Sequence, residues 1–189
     1  MQNFSPKQRY EEDLAKPGFQ PDIAQAQAVN ELQSLYDRLI EREARQRGVT
    51  ARLRRMFSEK NTPEQGLYFW GGVGRGKTYL VDVFYESLPF EAKLRVHFHR
   101  FMQRVHKELT LLAGEKNPLE QVAAGIAAET RVICFDEFFV SDIADAMILA
   151  GLMTALFQRG VTLVATSNIE PCDLYKDGLQ RARFLPAIK

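Results

Sequence analysis

Apolar and polar positions along this chain fall into blocks whose spacing predicts a run of alternating helices and strands. Residues 1–21 are polar, carry Pro6, Pro17, Gly18 and Pro21, and predict an extended arm. From Asp22, placed to cap a first turn, Ala28, Leu32, Leu35 and Leu39 recur at helical spacing. The segment Asn61 to Gly66 punctuates the chain before a short apolar strand, Leu67-Tyr68-Phe69-Trp70, and Tyr79 to Phe84 predicts a helix. A second strand is expected at Leu94–His99, after Pro89. Helices follow at 101–113 and 118–129, broken near Gly114 and Pro118. Val132 to Phe135 predicts a third strand, and Ser141 a cap for an apolar helix from Asp142 to Gln158, ended by Gly160. Val161–Thr166 is the fourth strand, and Asn168 to Lys189 is expected to form turns and a short helix. Strands that alternate with helices and are apolar throughout imply a parallel sheet covered on both faces.

Composition narrows this picture. Lys and Arg total 25 and Asp and Glu 24 in 189 residues, a net charge of +1, which argues against nucleic-acid binding driven by bulk charge. A local basic patch stays open, because Arg42, Arg45, Arg47, Arg52, Arg54 and Arg55 cluster in one stretch. Of the two cysteines, Cys134 lies in a strand expected to be buried, so a structural disulfide is not expected. No run is long enough to span a membrane and no secretory signal opens the chain, so a cytoplasmic protein is expected.

The chemistry sits between the first strand and its helix. Gly71-Gly72-Val73-Gly74-Arg75-Gly76-Lys77-Thr78 fits the G-x-x-x-x-G-K-[ST] pattern. Its glycines permit turns that aim backbone N–H groups at phosphate, and the following helix, entered through Tyr79, adds its positive dipole end. Lys77 then reaches the β- and γ-phosphates of a nucleoside triphosphate, and the Thr78 hydroxyl suits Mg2+. Asp136 and Glu137 end the third strand, where ligands bind in open α/β sheets. Asp136 suits the Mg2+ shell through water, and Glu137 suits activation of the attacking water. Asn168, ending the fourth strand, suits a contact to γ-phosphate and water, against the plainer reading of an Asn that starts a turn. Arg181 or Arg183 suits neutralisation of transition-state charge in a neighbouring subunit, against the plainer reading of surface arginine. His97 and His99, two apart on a strand and so on one face, are expected to pack or hydrogen-bond rather than bind metal.

Beyond single motifs, five runs carry a family resemblance: His97 to Met102, Cys134 to Phe138, Asp142 to Met147, Ala165 to Asn168, and Leu174 to Arg181. With them the chain resembles the Afg-type AAA+ ATPases, in particular their bacterial cell-division branch, from about Gln20 onward. The resemblance implies an α/β P-loop core of AAA+ type, three-layered with a mostly parallel sheet, using ATP and Mg2+. It implies action on polymers of the tubulin-like division protein FtsZ, at the division site, with self-association for activity. By motif it makes Lys77 and Thr78 the first nucleotide motif and Asp136 and Glu137 the second. Asn168 becomes the sensor, and Arg181, ahead of Arg183, the arginine acting in trans. Members of that family run longer; the expected organisation here is an arm and helix over 1–60 and an ATPase core over 61–189, ending before the last core strand and lid. A helicase-loader-like ATPase and a non-hydrolysing nucleotide-binding module are the alternative functions. An end at that point would also leave the strand of Tyr68 at the sheet edge.

Overall fold

Val132, Ile133, Cys134, Phe135 and Asp136 are buried at every position, so the strand they form, β3 (Val132–Asp136), lies in the sheet's interior with helices on both faces. The computed structural model describes residues 4–47 and 62–185. In chain order it comprises α1 (Pro6–Leu14), α2 (Ile23–Arg47), β1 (Leu67–Trp70), α3 (Lys77–Ser87), β2 (Lys93–His97), α4 (Phe98–Leu111) and α5 (Pro118–Glu129). After β3 come α6 (Ile143–Gln158), β4 (Thr162–Ser167), a 3-10 turn at Pro171–Asp173 and α7 (Arg181–Phe184). The described strands form one parallel sheet in the order β1-β4-β3-β2.

The pleat sends alternate residues of β3 to opposite layers. Val132 and Cys134 join Val164 under α1, α2 and α3, in a core with Tyr10, Leu32, Leu35, Val81 and Phe84. Ile133 and Phe135 face the other way, against Phe101, Ile126, Leu149 and Leu152 of α4, α5 and α6. Each such fully buried side chain contributes about 2 kcal/mol by leaving water. A parallel sheet between two helical layers is the three-layered α/β architecture expected from the family resemblance. Among the described residues β1 lies at the sheet's edge, paired with β4 from Leu67 opposite Val164 to Trp70 opposite Ser167.

Four local expectations change. The polar arm contains a helix: in α1, Ser5 Oγ accepts from the Gln8 backbone N–H (3.4 Å) and Gln8 Oε1 from that of Ser5 (2.9 Å), with Pro6 in the first turn. Buried Tyr10 then ties α1 into the core beside α2. The second strand stops at His97, and α4 begins at Phe98 because Phe98, Phe101, Met102 and Val105 recur at helical spacing and are all buried. His97 and His99 therefore do not share a strand face; both are exposed, with their rings 5.9 Å apart. Asp142, not Ser141, caps α6, its Oδ1 accepting from Ala144 (2.5 Å) and Asp145 (3.4 Å). β4 runs from Thr162 to Ser167, one residue later than expected. Asp22 does cap α2, accepting from Ala24 (2.7 Å) and Gln25 (3.1 Å). Of the arginine-rich stretch, Arg52, Arg54 and Arg55 lie outside the described residues.

Candidate active site

β1 feeds directly into the phosphate loop, and the loop turns through glycines that no other residue replaces without strain. Gly71 (φ 137°), Gly74 (φ 81°) and Gly76 (φ 78°) occupy the left-handed region. Gly76 also caps α3, where a Cβ would meet the Gln25 side-chain amide nitrogen at 2.7 Å. The first bond of α3 runs from Leu80 N to Gly76 O (3.0 Å), so the N–H groups of Lys77, Thr78 and Tyr79 precede it at the positive end of the helix. Gly72, Val73, Gly74 and Arg75 are exposed to an incoming ligand.

The Lys77 ammonium has three donors and three acceptors: Gly71 O at 2.6 Å, Gly72 O at 2.8 Å and Asn168 Oδ1 at 3.1 Å. The end of β4 is thereby brought onto the phosphate loop, 91 residues away in sequence. Tyr79 faces elsewhere. Its hydroxyl donates to Asp13 Oδ2 of α1 (2.5 Å), and its ring lies 5.4 Å from that of Phe19. Hydrogen bonds from Lys16 and then Tyr79 hold the Asp13 carboxyl below its ordinary value, while burial first, then Asp13, raises the Tyr79 phenol.

Asp136 and Glu137 occupy different environments at the carboxyl edge of the sheet. Asp136 is 8% exposed and gripped by Arg95 of β2, whose Nε donates to Oδ2 (2.9 Å) and Nη2 to Oδ1 (3.2 Å). Arg95 Nη1 also pairs with Asp82 of α3, one turn beyond Thr78. The Glu137 side chain is 78% exposed, on a backbone held at φ 55°, a left-handed conformation that costs a non-glycine residue about 1 kcal/mol or more. What over-determines that turn is the end of β4. Thr166 Oγ1 accepts from Glu137 N (3.3 Å), Thr166 O from Phe138 N (2.7 Å), and Ser167 Oγ donates to Phe138 O (2.7 Å). His97 Nδ1 stands 3.9 Å from Glu137 Oε2. Arg181 is further along the chain, on α7, where Nη2 donates to Cys172 O (2.6 Å); Arg183 on the same turn is exposed.

The structure thus joins Gly71, Gly72, Lys77 and Asn168 in one contact group and places Asp136 beside Asp82 through Arg95. Thr78 and Asp136 supply a hydroxyl and a carboxylate, the oxygen donors that suit Mg2+. Asp82, Arg95 and Thr166 were given no role by sequence reasoning, and His97 was weighed only for packing, hydrogen bonding or metal. For Arg95 a signal existed, since a lone arginine between Leu94 and Val96 in a strand is seldom buried without a partner. Among the described residues no helix is long and apolar enough to cross a membrane.

The chain is 56% identical over 195 residues to the cell division protein ZapE of Escherichia coli K12, covering 100% of this chain and 52% of that protein. It is 49% identical over 142 residues to lactation elevated protein 1 homolog B of Danio rerio, covering 69% of this chain and 28% of that protein. The chain therefore spans about half the length, or less, of these curated relatives. Among solved structures it is similar to DnaI, at 17% identity and TM-score 0.58 over 94% of this chain and 88% of that one. It is also similar to AMPPCP-bound DnaA from Aquifex aeolicus, at 13% identity and TM-score 0.58 over 98% and 48%. At those identities the likeness is one of fold. A family model described as AFG1-like ATPase matches residues 4–189, and the chain belongs to that family.

Proposed function

We propose that this chain binds ATP with Mg2+ and hydrolyses it, as the nucleotide-handling part of a cell-division protein that acts on FtsZ polymers. The observation that carries the nucleotide reading is the convergence of Lys77 and Asn168 on the phosphate loop, reached from strands β1 and β4. The division role rests on the similarity to ZapE, and FtsZ as its target on the family resemblance.

The residues divide the work as follows. The N–H groups at the start of α3 and the Lys77 ammonium bind the phosphates, with Lys77 exchanging the Gly71 and Gly72 carbonyls for phosphate oxygens. Thr78 and Asp136 would hold Mg2+, which would supply neutralisation of the phosphate charge. Glu137 takes a proton from the attacking water, its position fixed by the Thr166 and Ser167 contacts rather than by its own exposed side chain. Asn168, already beside Lys77, orients that water or the γ-phosphate through its amide. Arg181 acts on the site of a neighbouring copy, which makes turnover per chain rise with protein concentration.

Glu137→Gln separates binding from chemistry. The variant is expected to retain nucleotide affinity, measured by calorimetry, and to lose at least about a hundredfold in turnover. Turnover at the parent rate would sink the assignment of Glu137; unchanged ATP affinity in Lys77→Ala would sink the phosphate site.

A further inference from the structure

Arg95 is a charged side chain in contact with the candidate site that the nucleotide reading leaves unused, and its position is specific. It lies in the middle of β2, opposite Cys134 of β3, while His97 lies opposite Asp136. The pleat therefore puts Arg95 on the same sheet face as Asp136, the face covered by α3. From there the guanidinium spans two carboxylates. Its fork takes one lone pair on each oxygen of Asp136, and Nη1 pairs with Asp82. Asp82 lies four residues after Thr78 on α3, so the two share a helix face. Arg95 thus links α3, one turn beyond Thr78, to Asp136 of β3, and Thr78 and Asp136 are the residues that suit Mg2+.

We propose that Arg95 is a positioning residue that makes divalent-cation binding conditional on nucleotide. The charge count gives the reason. Asp82 and Asp136 contribute two negative charges, and Arg95 removes one of them, leaving too little charge to strip and hold a divalent ion alone. Nucleotide phosphates supply the missing negative charge when they arrive. The lone pairs that Arg95 does not use stay open on Asp136, so its carboxylate accepts hydrogen bonds from waters of the Mg2+ shell while the fork remains in place. The same fork fixes the carboxylate plane. Lysine in its place would keep the charge and lose the planar hold.

The proposal rests on the reading of Asp136 as the metal carboxylate, and the test separates the two. Mn2+ is titrated by electron paramagnetic resonance, alone and with a non-hydrolysable ATP analogue, on the parent chain, Arg95→Gln, Arg95→Lys and Asp136→Asn. The parent is expected to bind Mn2+ with the analogue and at least about tenfold more weakly without it. Arg95→Gln is expected to bind Mn2+ alone at least about tenfold more tightly than the parent, the effect of one unit charge a few ångströms from a divalent ion in a solvated site. Arg95→Lys, which keeps the charge, is expected to stay within about threefold of the parent. A merely structural role would not raise metal affinity in any variant. Natively folded Arg95→Gln with parent-like affinity for Mn2+ alone overturns the proposal. Should that variant not fold, a parent that binds Mn2+ equally well with and without the analogue overturns it instead. If Asp136→Asn leaves Mn2+ binding with the analogue unchanged, the metal assignment itself has failed. If Asp136→Asn weakens that binding while Arg95→Gln changes nothing, only the clamp has failed.

Discussion

Gly66→Ala is the substitution through which the structure makes its sharpest demand, because the residue looks dispensable in sequence. Gly66 immediately precedes β1, and a Cβ there would land directly on the carbonyl oxygen of Leu163 in β4. The carbonyl carbon would follow at 2.9 Å and the backbone nitrogen at 3.2 Å. All three are backbone atoms of a central strand, so no side chain can swing away. Either β1 moves out from β4 or β4 distorts. Moving β1 weakens the pairs from Leu67–Val164 to Trp70–Ser167, each ladder hydrogen bond contributing about 1 kcal/mol. Overpacking without room to relax costs about 1 to 3 kcal/mol, and the frayed ladder adds to that, so about 3 kcal/mol or more is expected. At roughly 2 to 4 °C per kcal/mol in a chain of this size, the melting midpoint falls by about 6 to 12 °C. Gly72→Ala is the matched control: it has no atom within 4 Å of its Cβ, lies outside the left-handed region, and is expected to melt within about 1 °C of the parent. Urea unfolding followed by circular dichroism and by Trp70 fluorescence measures both. A Gly66→Ala loss below about 0.5 kcal/mol would refute the close β1–β4 approach.

Two further predictions test other parts of the molecule. Cys134 is fully buried, with its thiol pushed up to about 12 by burial, while Cys172 is exposed; a thiol reagent is expected to label only Cys172 in native protein and both after denaturation. Labelling of both under native conditions would contradict the buried β3. Asp13, held below its ordinary value by Lys16 and Tyr79, lends stability that is fully present above about pH 3.8 and lost as pH falls through its lower folded value. Tyr79→Phe is therefore expected to flatten the acid side of the stability curve below pH 4, and an unchanged slope would remove that contact from the account.

The parts of the site that depend on local sequence were legible, and the parts that depend on long-range pairing were not. The phosphate loop needs glycines at fixed spacing, and β3 needs apolar residues throughout, so both announce themselves. The α1 helix was hidden by polar composition, although Ser5 and Gln8 spell the capping box that starts it. His99 was assigned to a strand because apolar alternation at 94–98 continues into the amphipathic face of α4 without a turn residue between. The grip of Arg95 on Asp136 joins residues 41 apart, and Lys77 reaches Asn168 across 91; neither distance leaves a trace in local pattern. Arg181 was placed by family motif, and in this structure it contacts Cys172 of its own chain.

The strand order has a kinetic consequence. β2 pairs with β3, and β3 with β4, across roughly thirty to forty residues of chain, whereas β1 meets β4 across about a hundred. Closing the longest loop costs the most entropy and is rewarded only once its partner strand exists. During synthesis β1 emerges first and waits for β4 to emerge, with its phosphate loop not yet anchored against Asn168. The nucleotide binding proposed above would then be acquired only once β4 has paired, and ATP would stabilise only those chains in which it has.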